Sequence, residues 1–271
     1  MGVRPRSGQR VYREGYMATI APAAATSDDR FFMRMAIVIA FTIVAGFVLH
    51  FAMGRSSLGA RPLVHVHGMV FMGWVVLFLT QVRLATGGSL ALHRRLGWIA
   101  AGWACLLVVM GLAITLDVAM RGGTPFFFLP QYFLIANPMT MLCFVALTTA
   151  AIRMRRSTDW HKRLHLCATI SIIGPGLGRL LPLPLMGPYS FDIVIFVSLL
   201  FPFAGMIHDW RQSGQVHRAW AWGALAIFLI VPTSQIIARS PVGDLIYAAV
   251  TQGHPGEKVP GLEFPPPPMP Q

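Results

Sequence analysis

Histidine is the residue type in this chain whose placement could support chemistry. Most of the nine histidines lie at the ends of long apolar runs. They form two layers, one of His50, His65 and His67, the other of His93, His161, His165, His208 and His217. Imidazole is a common metal ligand and proton carrier, and it is costly in lipid without a partner. Two such layers predict a redox cofactor held near each face of a membrane.

The second layer contains a spacing that can hold a metal. His161 and His165 are four residues apart, so they share one face of a helix. Two histidines at this spacing can ligate one metal ion. His93 approaches from the same side and can add a third ligand. The sequence therefore predicts a metal or haem site at His93, His161 and His165, with haem b as the first candidate.

The first layer is less regular. His65 and His67 are two residues apart, which places them roughly 200° apart around a helix. Both cannot face one haem, so His67, which lies deeper, is the predicted ligand. His65 and Gln81 are predicted to hydrogen-bond and orient the ligands. Only His50 is available opposite His67, which argues against a protein that simply transfers electrons through two haems.

The composition of the chain indicates which kind of structure holds these histidines in place. The 271 residues are 55% hydrophobic and 12% charged, whereas soluble domains carry about 25% charged residues. The apolar runs reach the roughly 20 residues that a helix needs to span a bilayer, and they lack the alternation of a barrel strand. The sequence predicts an all-α integral membrane protein. Because the basic residues of this chain (net charge +12) lie in short loops, nucleic-acid binding is not expected.

We predict a bundle of seven transmembrane helices within residues 31–237. Proline is expected to interrupt the fourth span at Pro130 and Pro138, and to bend the fifth span at Pro175. The predicted spans are Phe31–Met53, Pro62–Leu84, Leu96–Val118, Phe126–Ile152, Leu164–Leu181, Tyr189–Ile207 and Ala219–Ile237.

The two ends of the chain are predicted to be tails on opposite sides of the membrane. Residues 1–30 are basic and typical of a disordered cytoplasmic tail, and residues 238–271 are a proline-rich, extended extracytoplasmic tail. Lys and Arg concentrate in the loops on the N-terminal side, which predicts an N-in, C-out protein of a bacterial cytoplasmic membrane. At the outer face, Arg179 is predicted to pair with Asp117 or Asp192.

Several motifs resemble an uncharacterised bacterial family of multi-pass membrane proteins. The resemblance covers residues 62–181 and implies a membrane protein with histidines in matching places, without implying a reaction. That family commonly has Met at the position of His165 in this chain. The matching residues are His65-Val66-His67-Gly68, Trp74, Phe78, Gln81, His93-Arg94-Arg95-Leu96-Gly97-Trp98, Trp160-His161-Lys162-Arg163-Leu164, Ala168-Thr169-Ile170-Ser171 and Arg179.

Three functions remain open from the sequence. The first is a haem- or metal-binding protein of a respiratory or redox system, and a looser architectural similarity to cytochrome b-type and oxidase-assembly proteins points the same way. The second is a cofactor-free structural or assembly subunit of a larger membrane complex. The third is a small-solute or proton transporter, which requires ionisable groups near the middle of the membrane, and the apolar runs offer few of them. In all three, the lipid bilayer is the main partner.

Overall fold

The computed structural model describes residues 26–56 and 58–267, and within them the chain is helical with no strand. Three short 3₁₀ turns join or follow the helices, at Leu183–Leu185, Gly187–Tyr189 and Pro255–Lys258. The α-helices are α1 Ser27–Ala52, α2 Pro62–Thr86, α3 Leu90–Met120, α4 Pro130–Arg153, α5 Thr158–Ser171, α6 Gly174–Leu180, α7 Ser190–Ser198, α8 Leu200–Ser213, α9 Arg218–Ala238 and α10 Pro241–Thr251.

Six helical segments in the described residues are long and apolar enough to cross a membrane. Large apolar side chains cover their outer surfaces, as at Phe41 and Ile236, which are 70% and 71% exposed. Such surfaces require lipid rather than water around them. The protein is therefore a multi-pass membrane protein. The segments are Ser27–Ala52, Pro62–Thr86, Leu90–Met120, Pro130–Arg153, Gly187–Ser213 and Arg218–Ala238.

Proline explains where two helices break. Pro175 has no N–H to donate to the carbonyl of Ser171, and α5 ends at Ser171. Pro202 stands in the same relation to Ser198, where α7 ends. The predicted fifth span, Leu164–Leu181, is therefore two helices, α5 and α6.

The fourth span differs from the prediction at its start. Helix α4 begins at Pro130, where a missing N–H costs nothing, because the first helical N–H groups have no partner within the helix. It then continues through Pro138 without a break. The predicted interruption at Pro138 is therefore wrong.

Helix α6 packs closely on α1 because two glycines meet there. A Cβ atom on Gly46 would lie 2.1 Å from the carbonyl oxygen of Gly176, and one on Gly176 would lie 2.5 Å from the Cα of Ile43. Side chains at these positions would push the two helices apart. The small residues thus allow the backbones to approach, as is usual between membrane helices.

The bundle has two chemically different ends. The starts of α1, α3, α5 and α9 form one end, which we call the basic end. Its basic residues include Arg94, Arg95, Lys162, Arg163 and Arg218. We call the opposite end, where α2, α4 and α7 begin, the far end. Helix α4 packs against α3, α5 and α9 in the interior, and the largest fully buried side chains include Trp220, Phe144 and Leu107.

The described parts of both predicted tails contain helix. Helix α1 begins at Ser27, capped by mutual hydrogen bonds between Thr26 and Asp29, so residues 26–30 are not a tail. Residues 1–25 lie outside the described part of the chain.

The predicted extended C-terminal tail is wrong for residues 241–258. Helix α10 and the following 3₁₀ turn pack against α3 and α4. The backbone N–H of Gln131 donates to the carbonyl of Gly261 at 2.8 Å, and the Tyr247 hydroxyl donates to the carbonyl of Val259 at 3.0 Å. Pro265–Pro267 have no regular secondary structure, and residues 268–271 lie outside the described residues.

The contact between α1 and α6 can be tested with one methyl group. We expect Gly46→Ala to lower the free energy of unfolding by about 1–3 kcal/mol, because the added carbon meets backbone rather than a flexible side chain. Gly68→Ala is the matched control, since nothing lies within 4 Å of its added carbon. Thermal unfolding in detergent, followed by tryptophan fluorescence, measures both. Equal midpoints for the two variants would contradict the packing described.

Candidate functional site

Three of the predicted ligands come together near the basic end. The ring centroids of His93 and His161 are 6.1 Å apart, with the ring planes at 84°. The rings of His161 and His165 are 5.8 Å apart, as expected for residues one turn apart on α5. The far side of His165 contacts the indole of Trp74 on α2, at a centroid distance of 5.9 Å.

Backbone carbonyls fix the tautomers of two of these rings. His93 Nδ1 lies 3.2 Å from the carbonyl oxygen of Gln81, and His161 Nδ1 lies 2.9 Å from that of Ala151. A carbonyl oxygen only accepts, so each Nδ1 carries the proton and donates it. Each Nε2 is therefore left with a lone pair in the neutral ring. Metal-binding histidines are usually held in this way.

The helices that meet at these rings also carry buried polar atoms without hydrogen-bond partners. Trp74 and Gln81, seven residues apart on one face of α2, are 2% and 5% exposed. Neither the Trp74 Nε1 nor either side-chain polar atom of Gln81 has a partner within the described residues. The same holds for the hydroxyl of Thr148, one turn before Ala151 on α4, and for Nδ1 of His165.

We call this group the histidine chamber: His93, His161, His165, Trp74, Gln81 and Thr148. Its members come from four helices, α2 to α5, and the edge of the Trp74 ring packs on Phe144. Buried polar groups are nearly always hydrogen-bonded in folded proteins, to protein, water or ligand. Several unpartnered atoms within one cluster indicate a place where the protein binds something polar.

The predicted three-histidine metal ion site is not found. Within the described residues, no group of three or more His, Cys, Asp or Glu side chains is arranged to hold a metal ion. A bare zinc ion takes about four ligands, at least three of them from the protein. His93 and His161 remain a pair of imidazoles with oriented lone pairs, and His165 lies beside them rather than completing a triad.

The predicted far-end ligands do not join this chamber. His67 packs on Phe71 with the ring centroids 4.3 Å apart and the planes tilted by 36°, and its Nδ1 is buried without a partner. With Trp74 it lines a cavity of about 20 Å³, and about 10–15 Å³ is enough for one water molecule. His65 points elsewhere, with its Nε2 3.0 Å from the carbonyl of Leu58.

A buried ion pair at the basic end was missed by the sequence reasoning. The guanidinium of Arg163 donates from Nη2 and Nε to the two carboxylate oxygens of Asp209, at 2.7 and 2.9 Å. These residues are 6% and 4% exposed. The same guanidinium also reaches Asp159, one turn earlier on α5. The spacing of Asp159 and Arg163 was the available signal, but nothing in the sequence places Asp209 beside them.

An open cleft of about 530 Å³ lies over this ion pair, lined in part by Asp159, Trp160 and Arg218. His217 caps α9 there by accepting a hydrogen bond from the N–H of Ala219. Burial lowers the pKa of His217, and the nearby positive charge of Arg163 lowers it further. His208 is also structural, since it stacks on Phe31 at 3.8 Å and contacts Asp28.

The predicted pairing of Arg179 is wrong. Asp117 binds Arg61 and Arg121 instead. Asp192 accepts hydrogen bonds from Tyr132 and Gln235. Arg179 is in no ion pair with a carboxylate within the described residues.

No protein-family model, no curated protein and no solved structure matches this chain. The resemblance to an uncharacterised membrane family therefore stays a prediction. The assignment of function depends on the geometry of the side chains.

The buried ion pair predicts a large effect of removing one partner. We expect Asp209→Asn to lower the free energy of unfolding by about 3 kcal/mol, because it leaves Arg163 buried with less compensation. Asp28→Asn is the control, since that carboxylate is 34% exposed and contacts Lys162 at the surface, and it should cost less than about 1 kcal/mol. Unfolding in detergent by SDS titration compares the two, and equal losses would contradict the assignment.

Proposed function

We propose that the chain crosses the membrane seven times, with its N-terminus in the cytoplasm of a bacterium and its C-terminus outside. Helices α5 and α6 form the additional crossing. They contain 14 and 7 residues, which at about 1.5 Å per residue approach the roughly 30 Å of the hydrocarbon core. The support is their placement: α5 begins beside His93 at the basic end, and α6 ends beside the last turn of α1 at the far end.

Cysteine labelling in intact cells tests this topology. We expect Leu185→Cys and Gln252→Cys, at the far end, to react with a membrane-impermeant maleimide. Their matched controls, Ser157→Cys and Gln215→Cys, lie at the basic end and should react only after the membrane is permeabilised. All four positions are exposed on the protein surface. The same reactivity at Ser157 and Leu185 would exclude a crossing by α5 and α6.

We further propose that the histidine chamber binds haem b in a redox role, and that His93 and His161 would hold its iron. The observation that carries this proposal is the pair of imidazoles whose Nδ1 atoms are held by backbone carbonyls. Haem iron needs only one or two protein ligands because the porphyrin supplies the rest. Two imidazoles with oriented lone pairs are therefore a ligand set that haem could use.

The residues of the chain have separate tasks in this proposal. The carbonyls of Gln81 and Ala151 hold the Nδ1 protons, which orients both rings and makes each Nε2 a better donor to iron. Trp74, Gln81 and His165 have unpartnered polar atoms that would be available to hydrogen-bond a bound cofactor. The buried ring of Phe144 behind Trp74 keeps water away. When bound, haem would accept and release single electrons.

A visible spectrum of the purified protein tests the haem proposal. We expect a reduced-minus-oxidised difference spectrum with a sharp α band, and loss of most of the bound haem in His93→Ala and His161→Ala. His65→Ala is the control, because that ring is held by Leu58 at the far end. Haem content is measured after alkaline pyridine extraction. A flat spectrum, or full haem content in both ligand variants, would rule the proposal out.

A second candidate is a cofactor-free subunit packed against a larger membrane complex. Helix α10 favours it, because it lies beyond the last apolar span and exposes Val242 and Leu245, at 56% and 70%. Co-purification of a stoichiometric partner with a colourless protein would support this function over haem binding.

A further inference from the structure

Arg179 lies near the far end of the bundle, and no carboxylate within the described residues pairs with it. It lies in the last turn of α6, where its Nη1 donates to the carbonyl of Pro175 at 2.6 Å. The guanidinium carbon lies 4.1 Å from the ring centroid of Phe47. Its Nε is buried and has no hydrogen-bond partner within the described residues. A partly buried guanidinium in this state has lost water without gaining an anion.

The carboxylates that the sequence offered at this end are bound elsewhere, Asp117 to Arg61 and Asp192 to Tyr132. Within the described residues, no carboxylate therefore neutralises Arg179.

The fold fixes the direction in which Arg179 can bind. Gly46 and Gly176 bring α1 and α6 together, and the Cβ of Arg179 lies 3.2 Å from where a Cβ on Gly46 would stand. The bond from Nη1 to Pro175 holds one corner of the guanidinium. The Nε side, with two parallel N–H groups, is left for an acceptor, and two parallel donors match two oxygens of one anion.

We propose that Arg179 binds a phosphate group at the far face of the membrane. A phosphate offers the paired oxygens that the guanidinium fork recognises. Arg179 packs on Phe47 near the end of the spanning helix α1, close to the level of lipid headgroups, where phosphate is the abundant anion. The phosphate can come from an anionic lipid of that leaflet or from a soluble phosphate ester. This site is independent of the histidine chamber and of any haem there.

Native mass spectrometry of the full chain, delipidated in detergent, tests the proposal with two probes. Dioleoyl phosphatidylglycerol represents the lipid, and glycerol 3-phosphate represents the soluble ester. We expect Arg179→Gln to bind the effective probe on the order of tenfold more weakly, since it loses a charged hydrogen-bonding partner. Arg121→Gln is the matched control, because that arginine already has a carboxylate partner in Asp117.

The two probes distinguish a lipid headgroup from a soluble phosphate ester. Binding of the lipid alone assigns the site to a headgroup, and binding of glycerol 3-phosphate assigns it to a soluble ester. Equal binding by the wild type and Arg179→Gln, for both probes, would overturn the proposal. If Arg179→Gln does not fold, Arg179→Lys takes its place, since it keeps the charge and loses the fork, and the same weakening is expected.

Thermal unfolding gives an independent test, because the added ligand is expected to raise the midpoint of the wild type only. Without lipid, Arg179→Gln should unfold no earlier than the wild type, because it removes an uncompensated charge. Added phosphatidylglycerol, or glycerol 3-phosphate if that is the ligand, should raise the midpoint of the wild type and not that of the variant. An equal rise in both proteins would show that the anion acts elsewhere and would also overturn the proposal.

Discussion

The break at Pro175 is the constraint on which the rest of the structure depends. In lipid, every backbone polar group must find a partner inside the protein, so a chain that crosses the membrane cannot bend freely. Proline removes one N–H, and the helix stops four residues earlier, at Ser171. Helix α5 can therefore carry His161 and His165 toward α2 to α4, while α6 turns to pack its glycine face on α1. One residue thus positions both the histidine chamber and Arg179.

The two ends of the bundle differ in whether their cations have carboxylate partners. At the basic end, Arg163 and Lys162 are matched by Asp209, Asp159 and Asp28, so these two cations are internally paired. At the far end, Arg61 and Arg121 share one carboxylate, and no carboxylate in the described residues pairs with Arg179. The phosphate site proposed for Arg179 would neutralise the charge that the fold leaves in place there.

Sequence patterns predicted most of the architecture and part of the site. Long apolar runs identified the spans, and the i, i+4 spacing placed His161 and His165 on one face of α5. Trp74 and Thr148 could not be found in this way, because both lie within apolar runs where a tryptophan or threonine is ordinary. The partner of Arg163 was equally hidden, since Asp209 is 46 residues away along the chain. Helix α10 was missed because the prolines that follow it favoured an extended tail.

The polar residues in the interior also bear on whether the protein is a small-solute or proton transporter. His67, Trp74 and Gln81 repeat every seven residues on α2, so they fall on one face and extend over about 21 Å at 1.5 Å per residue. The stripe carries polar groups, although the sequence run that contains it is mostly apolar. Its central member, however, is an indole, which donates a hydrogen bond and cannot accept a proton. The cavity beside it, of about 20 Å³, holds about one water molecule. A stripe with such a centre does not make a continuous path for protons along α2.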